Sequence, residues 1–263
     1  MELAELHAGA KTMGEYLRLR SHILAVKMLP TRADAPKGAI WPKETLGKRM
    51  DLCQSFCRSR WEDKTMAMTK EDMWCFEPVV GYGLAERPKE FLEGGNRFPD
   101  SAMTVEAAKV WAQNYPALPY GRYKGVACGP LHTTEFMPDV VVVYCDPAQL
   151  THIMIAKNAI DGGDVMSPLS GHAACVYAVV PTLLNGTCNV ALPCRGDRRT
   201  AMTQDNEIIF AMPTSFVPKM AEALIYLDKH GWEYPWPFIL APERELLPSY
   251  VKLGGMIGMD YEK

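Results

Sequence analysis

Short strand-like segments alternate with helical segments along this chain, and that alternation is the feature that most constrains its fold. The segment 140–145, Val-Val-Val-Val-Tyr-Cys, is β-branched and strand-sized, and the Asp-Pro pair after it is a typical helix start. A strand predicted over 207–212 is likewise followed by Ser215, a helix cap, and a helix predicted over 216–229. The segments do not follow a strict βαβ order. We therefore expect a mixed α+β fold.

Hydrophobic spacing and turn residues predict the remaining elements. Helices are predicted over 3–20, 53–61, 101–115, 147–158 and 175–180, and strands over 21–29, 65–69, 123–127 and 189–192. Asp100 or Ser101 is the expected N-cap of the third of these helices. The segment 30–48 is rich in Pro and Gly, and its length indicates a binding loop or flap.

The length of the chain predicts its domain organisation. With 263 residues, it is expected to form one α+β domain over 1–263. The last part, 231–263, forms an aromatic and Pro-rich C-terminal extension. We expect this extension to wrap on the core or to form a dimer contact, which would make the protein a homo-oligomer.

The near-neutral charge of the chain excludes some classes of function. There are 28 Lys and Arg against 31 Asp and Glu, which gives a formal net charge of −3 and no broad basic field for nucleic acid. No apolar run approaches the roughly 18 residues that a membrane span needs. The first residues are acidic where a secretory signal would be basic. We therefore expect a cytoplasmic protein that neither binds nucleic acid nor crosses a membrane.

Four of the eight cysteines occur in two matching segments. In a reducing compartment, cysteines are expected to be buried thiols, metal ligands or catalytic thiolates rather than disulfides. Cys53 opens a predicted helix, a turn and a strand follow, and Cys75 comes 22 residues later. Cys175 and Cys194 bracket the same order of elements, 19 residues apart. If these two Cys-helix-strand-Cys units form a pseudo-repeat and pack face to face, four thiols converge.

Four converging thiolates suit an iron-sulfur cluster or zinc, because both prefer soft sulfur ligands. Structural zinc sites usually draw their ligands from CxxC pairs, and this chain has none. A cluster, taken as 4Fe-4S, is therefore favoured over zinc, whereas the spacing alone still favours each cysteine as a small buried hydrophobe. The cluster ligands would be Cys53, Cys75, Cys175 and Cys194.

The other four cysteines follow no such order. Cys57 lies four residues after Cys53 on the same helical face, so it is either a spare ligand or part of the core. Cys128 and Cys145 lie in or beside apolar strands, and Cys188 follows a turn. We predict that these three are buried structural thiols.

Two features beside the cysteines suggest substrate chemistry. Arg198 and Arg199 closely follow Cys194, and arginine side chains match carboxylate and phosphate groups, so they are candidates to hold an anionic substrate. A solvated basic turn paired with Asp205 and Glu207 is the alternative. His172 precedes the second cysteine unit and is a candidate proton donor or metal ligand, with a purely structural role as its alternative.

Together these residues resemble the uncharacterised ArCR family of archaeal and bacterial proteins, a family common in anaerobes. The resemblance rests on an ordered set of positions and covers about residues 10–225. The matching positions are Cys53-Gln54, Glu71-Asp72 before Cys75, Pro138-Asp139-Val140 through Pro147-Ala148-Gln149, Cys175, and Cys194 with Gly196, Arg198 and Glu207. The resemblance implies a one-domain protein with these cysteine positions, and it supplies no activity. The C-terminal extension and the other four cysteines lie outside it.

The leading functional hypothesis is an iron-sulfur protein of anaerobic metabolism. With four ligands, the cluster would be closed and suited to electron transfer with a redox partner protein. With three, an open iron would suit an oxidoreductase or lyase that acts on a small anionic substrate. One alternative is a binding module that holds haem, another tetrapyrrole or an aromatic small molecule without catalysis. The other is a structural partner subunit whose cysteines are only buried thiols.

Overall fold

The computed structural model describes residues 1–236, 246–259 and 261. The helices are α1 (Leu3–Tyr16), α2 (Pro42–Thr45), α3 (Leu52–Glu62), α4 (Phe76–Gly81), α5 (Lys89–Leu92), α6 (Val105–Asn114), α7 (Pro147–Asp161), α8 (Ala174–Asn185), α9 (Arg195–Thr200), α10 (Phe216–Lys229) and α11 (Pro248–Met256). The strands are β1 (Leu24–Leu29), β2 (Met66–Thr69), β3 (Gly125–Pro130), β4 (Val140–Cys145), β5 (Asn189–Ala191) and β6 (Ile208–Pro213). Single turns of 3-10 helix cover Arg32–Asp34 and Lys70–Asp72.

These six strands form one antiparallel sheet in the order β2-β3-β1-β4-β6-β5. β1 and β4 pair at its centre, where Ala25 lies opposite Val141. From the centre outward, the first half of the chain contributes β1, β3 and β2. The second half contributes β4, β6 and β5 in the same pattern. The edge strands β2 and β5 are only four and three residues long. The mixed α+β fold expected from the sequence is confirmed.

Helices cover both faces of the sheet. On one face, α3 lies over β2 and β3, and α8 lies over β4, β5 and β6. On the other face, α1, α7 and α10 pack against one another and against the sheet. The side chains of β1 alternate between the two layers, with Leu24 and Val26 facing α3 and Ala25 facing the opposite layer. Every residue of β4 is buried, which explains its continuous apolar sequence.

The cysteine segments take corresponding positions in the two halves of the chain. Cys53 and Cys175 are the second residues of α3 and α8, the two long helices on the same face of the sheet. Cys75 and Cys194 are the N-caps of the short helices α4 and α9, which follow the edge strands. The order of elements therefore agrees between the halves. That the halves form an internal repeat stays a prediction.

Three predicted boundaries differ from the structure. We expected Asp100 or Ser101 to cap α6, but its N-cap is Thr104, whose side-chain oxygen accepts a hydrogen bond from the Ala107 amide at 3.1 Å. α1 ends at Tyr16 instead of continuing to residue 20, and the left-handed backbone of Arg18 (φ 50°) follows it. The segment predicted as a loop over 30–48 also contains a 3-10 turn and the short helix α2.

The described part of the C-terminal extension contacts the layer formed by α1, α7 and α10. The rings of Tyr234 and Trp236 lie 5.6 and 5.8 Å from the ring of His152 on α7. Residues 237–245, 260 and 262–263 of the extension lie outside the described residues, and the dimer contact stays a prediction. Within the part of the chain that the structure describes, no helix is long and apolar enough to span a membrane.

Candidate functional site

A cavity of about 360 Å³ lies where the first residues of α3, α4, α8 and α9 meet. We call it the cysteine cavity, because the four cysteines predicted to act together all line it. Its wall also includes Glu77, Asn96, Arg97, Asp100, Ser101, His172 and Arg195. The cysteines come from four separate elements, so only the tertiary fold brings them together.

Cys53 is held in the first turn of α3 by a capping box. The Asp51 carboxylate caps the helix, and the Asp51 amide donates to the Gln54 side chain at 2.8 Å. The Cys53 Sγ lies 3.8 Å from the Thr200 hydroxyl at the end of α9. That hydroxyl in turn donates to the Gly196 carbonyl at 2.7 Å. The start of α3 is thereby joined to the helix that carries another cysteine of the cavity.

Cys75 is positioned by the 3-10 turn before it. The buried Asp72 carboxylate accepts hydrogen bonds from the amide and hydroxyl of Thr69 at 2.9 and 3.0 Å, and from the Lys43 amide at 3.1 Å. These bonds fix the path of the chain into α4, where Cys75 is the N-cap residue. The backbone of Glu77 lowers the pKa of the Cys75 thiol and so offsets part of the effect of burial.

Cys175 and Cys194 enter the cavity from the second half of the chain. Ala173 precedes α8 with left-handed backbone angles of φ 49° and ψ 47°, an uncommon conformation for alanine that directs the chain into the helix. The Tyr82 hydroxyl donates to the Cys175 carbonyl at 2.9 Å. Cys194 is the N-cap of α9, and its carbonyl accepts from the Arg198 amide at 3.1 Å. Both cysteines are therefore fixed through their backbone.

The four sulfurs are spread around the wall of the cavity. Among the described residues, no three of them lie within 4.8 Å of one another. Four thiolates on a single zinc ion would lie roughly 3.8 Å apart, because Zn–S bonds are about 2.3 Å and the geometry is tetrahedral. The four sulfurs therefore do not form a preformed tetrahedral site for one zinc ion.

Burial raises the pKa of three of these thiols, those of Cys53, Cys75 and Cys175, and keeps them protonated in the absence of a bound cation. Burial raises the pKa of Cys175 well above its ordinary value, and the nearby cysteines raise it further. Burial also raises the pKa of Cys53, and the charge of Asp197 adds to this effect. The pKa of Cys75 is raised to about 12, first by burial and then by the Glu77 carboxylate. A cationic centre would reverse this preference, and its binding would release protons.

Another part of the wall is polar and contains unpaired groups. Arg97 forms an ion pair with Glu77, and each of these side chains is 13% exposed. The Arg97 guanidinium also lies 4.1 Å from the centroid of the Trp111 ring. The Nε of Arg97 and both amide atoms of Asn96 are buried without a hydrogen-bond partner among the described residues. Because buried polar atoms are rarely left unpaired, these atoms are suited to bind a polar ligand.

His172 lies on the wall of the cysteine cavity, so its ring is placed to contact a group bound there. Its amide donates to the Ser170 hydroxyl at 3.2 Å, and its ring meets the Trp111 ring edge-on at 5.8 Å. Burial lowers the pKa of His172, and the nearby Arg97 lowers it further. The imidazole is thus neutral near pH 7 and can accept a proton or bind a metal.

The two arginines predicted to bind an anion lie away from the cavity wall. Arg198 donates to the Gln204 carbonyl at 2.5 Å and lies 3.8 Å from the Asp205 carboxylate. Arg199 is exposed. The arginines that do line the cavity are Arg97 and Arg195. Anion binding by Arg198 and Arg199 stays a prediction, and their position on α9 favours the solvated alternative.

The remaining cysteines lie outside the wall of the cysteine cavity. Cys128, Cys145 and Cys188 are buried, and the Cys128 sulfur lies 3.4 Å from the Ser59 hydroxyl beneath α3. Cys57 is partly exposed, one helical turn after Cys53. Cys57 therefore offers a matched comparison with the cavity cysteine on the same helix.

A buried charged network joins two of the elements that bear cavity cysteines. The Asp197 carboxylate on α9 accepts hydrogen bonds from the hydroxyls of Thr203 and Tyr144 at 3.0 and 3.2 Å. Arg60 of α3 lies 3.6 Å from the centroid of the Tyr144 ring and pairs with Glu207. Burial raises the pKa of Asp197 to about 6. The network holds α3 and α9 in a fixed relation.

The sequence analysis did not identify Asn96, Arg97, Glu77 or Asp197 as parts of the site. Asn96 and Arg97 follow a Gly-Gly pair in a segment without helical or strand periodicity. That turn signal is the only feature of the sequence that marks them. Their approach to the cavity depends on packing against α6, which local patterns do not encode.

The fold and the cavity define a class of protein: a three-layer α+β fold with four cysteines around one cavity. The chain belongs to the uncharacterised ArCR family, whose sequence profile matches residues 12–223. It is similar to an uncharacterised protein of Methanocaldococcus jannaschii, with 26% identity over 227 residues that cover 85% of this chain and 95% of that protein. No solved structure matches the chain. The family resemblance stated from the sequence is confirmed.

Proposed function

We propose that this protein binds an iron-sulfur cluster in the cysteine cavity, with Cys53, Cys75, Cys175 and Cys194 as its ligands. The observation that carries the proposal is the meeting of these four thiols, from four elements, on the wall of one cavity. Among the described residues these thiols form no preformed site for one zinc ion, and thiolates are the usual ligands of iron-sulfur clusters. The donor set therefore fits a cluster.

Helix ends support thiolate ligands in this cavity. Cys53 and Cys175 lie in the first turns of α3 and α8, which are 11 and 12 residues long. The N-terminal end of a helix carries a partial positive charge and unpaired amides, both of which favour a negatively charged sulfur. This contribution offsets part of the cost of removing thiolates from water.

When bound, the cluster would supply electron transfer or, with an open iron, a Lewis acid. The polar wall would bind the substrate. Arg97 and Arg195 attract an anionic group, and the unpaired amide of Asn96 orients it through hydrogen bonds. The neutral His172 imidazole would accept or return a proton at its ring nitrogen. These roles describe an oxidoreductase or a lyase for a small anionic substrate, or a redox protein if no substrate enters.

Haem or another tetrapyrrole is the weaker alternative. A volume of about 360 Å³ is near the lower end for ligand pockets, so it suits a compact cluster better than a macrocycle. Haem iron has only two axial positions for thiolates, so at least two of the four thiols would have no partner in it. An absorption spectrum of the isolated protein distinguishes the two, since a tetrapyrrole has a sharp Soret band.

Anaerobic reconstitution with iron and sulfide tests the proposal. We expect a brown protein with iron and acid-labile sulfide in stoichiometric amounts. The matched pair of variants is Cys53→Ser and Cys57→Ser, because both cysteines lie on α3 and only Cys53 lines the cavity. Cys53→Ser should lose or convert the cluster, and Cys57→Ser should keep it. Colourless protein without iron or sulfide, or cluster loss that follows Cys57 instead of Cys53, would refute the proposal.

A further inference from the structure

Three potential metal ligands meet at the opposite end of α3 from the cysteine cavity. His22 precedes β1, Asp63 is the C-cap of α3, and His132 follows β3. The Asp63 carboxylate oxygen lies 3.6 Å from His132 Nε2 and 4.0 Å from His22 Nε2. One ligand atom from each of the three residues lies within 4.8 Å of the other two. We propose that these side chains form a site for a divalent transition metal ion.

The backbone holds the three ligands together. The His22 amide donates to the Arg60 carbonyl at 3.1 Å, which ties His22 to the last turn of α3. The Leu131 amide donates to the Ile23 carbonyl at 2.7 Å, so the residues that adjoin the two histidines are hydrogen-bonded to each other. The β1–β3 pairing therefore fixes the spacing of the histidines.

Asp63 closes the site through an uncommon backbone conformation. Its φ of 58° and ψ of 34° lie in the left-handed region, where Asp is better tolerated than most residues. This conformation ends α3 and leaves the carboxylate beside both imidazoles. Ending the helix would not by itself require an acidic residue at position 63, because glycine or asparagine is the usual residue in this conformation.

The arrangement of the two imidazoles is better explained by a shared cation than by ion pairing alone. Their ring centroids are 4.3 Å apart. Two protonated rings at this distance would repel each other, and one carboxylate would serve both. A metal ion instead requires neutral imidazoles and draws a nitrogen from each ring together with the carboxylate. Two imidazoles and one carboxylate suit the divalent metals from iron to zinc.

Three protein ligands leave coordination positions open to water or to an exogenous ligand. His22 and His132 also line a cavity of about 650 Å³ next to the site, whose wall includes the cations Lys11 and Arg20 beside the carboxylate of Glu15. An anionic ligand of the metal is the kind of molecule that these cations would attract. The site is therefore suited to bind a metal together with a small carboxylate or phosphate.

This metal site is independent of the cysteine cavity. α3 has 11 residues, so its two ends are about 16 Å apart. The two sites share no ligand, and their donors differ in kind, with nitrogen and oxygen here and sulfur there. Failure of one site therefore leaves the other testable.

Titration with Co²⁺ tests the site. Thiolate ligands give Co²⁺ intense near-ultraviolet charge-transfer bands, whereas imidazole and carboxylate ligands give only weak visible bands. We expect the wild-type protein to bind one Co²⁺ with the weak visible bands alone. Diffraction from Co²⁺-soaked crystals should place an anomalous peak between His22, Asp63 and His132.

Three substitutions should each raise the dissociation constant for this Co²⁺ at least tenfold: His22→Ala, His132→Ala and Asp63→Asn. Asparagine tolerates the left-handed backbone of residue 63, so the last variant should fold normally. His230→Ala is the control, because His230 is exposed and its ring nitrogen already bonds the Tyr226 carbonyl at 2.7 Å. Unchanged affinity in Asp63→Asn and His132→Ala, or Co²⁺ bound only with thiolate bands, would overturn the proposal.

Discussion

Helix α3 bears a candidate site at each end, and the two sites differ chiefly in burial. Cys53 in its first turn is 7% exposed, whereas the side chain of Asp63 at its C-cap is 51% exposed. Buried sulfur ligands must lose protons and exclude water when a cofactor binds. Exposed nitrogen and oxygen ligands remain in contact with solvent. If both proposals hold, α3 separates a place for a retained cofactor from a place for an exchangeable ion.

The largest expected effect is the complete loss of the cluster from the buried end. Replacing Cys175 by Ser should abolish iron and sulfide binding after anaerobic reconstitution, because a hydroxyl is a poor substitute for a soft thiolate. The control is Cys128→Ala, because Cys128 is a buried thiol in the same core layer as Cys175. This control should keep its iron and lose about 1 kcal/mol in the free energy of unfolding. Full iron content in Cys175→Ser would remove the reason to group the four cysteines.

A second prediction compares the rates at which the two ends release their metals. In a protein loaded with cluster and Co²⁺, excess EDTA should remove Co²⁺ at least a hundred times faster than iron. The physical reason is the burial of the cysteine cavity, since its ligands must open before a chelator reaches them. Metal analysis after rapid desalting measures both rates. Urea-unfolded protein, in which both metals should be released together, is the control, and equal rates in the folded protein would erase the distinction between the ends.

Of the two sites at the ends of α3, only the buried cysteine site could be predicted from the sequence. The grouping of Cys53, Cys75, Cys175 and Cys194 followed from the repeated order of cysteine, helix, strand and cysteine, and the structure places all four on one cavity wall. Local periodicity predicts helices and strands well when one face of each is buried, as in β4 and α10. Cys53 and Cys175 begin such helices, whereas the short helices α4 and α9 that follow Cys75 and Cys194 were not predicted.

The exposed end and the polar wall were not predictable in this way. His22, Asp63 and His132 are far apart in the chain, and only the pairing of β1 with β3 brings them together. Arg198 and Arg199 looked suitable because they follow Cys194, but nearness in sequence does not determine which side of a short helix faces a cavity. Tertiary packing decided both cases.

The third prediction measures how strongly the surroundings of the cysteine cavity disfavour negative charge. Burial raises the pKa of Asp197 from 3.8 to about 6, so the folded state favours its protonated form. The stability that this group contributes is complete below pH 3.8 and is lost as the pH rises through 6. In the metal-free protein, this loss should be about 2 kcal/mol between pH 4 and pH 7.

Urea unfolding of metal-free wild-type protein and of the Asp197→Asn variant tests this expectation. The variant should lack that part of the pH dependence, so its stability curve should be flatter over this range. Asp205→Asn is the control, because the side chain of Asp205 is fully exposed near the same helix. If the curves of the Asp197→Asn variant and the wild type ran parallel, burial of this carboxylate would have no measurable consequence.

The smallest expected effect concerns the substrate side of the cysteine cavity and uses two exposed arginines of the same helix. Arg195 lines the cavity and Arg199 does not. Arg195→Ala should weaken the binding of inorganic phosphate about tenfold, or about 1.4 kcal/mol, because it removes a charge-assisted hydrogen bond. Arg199→Ala should change affinity less than twofold, since a solvated charge outside the cavity is screened. Calorimetric titration of both variants measures the difference. A larger loss of affinity in Arg199→Ala would favour an anion site at Arg198 and Arg199, as the sequence predicted. An equal loss in both variants would mean that only the net charge affects phosphate binding.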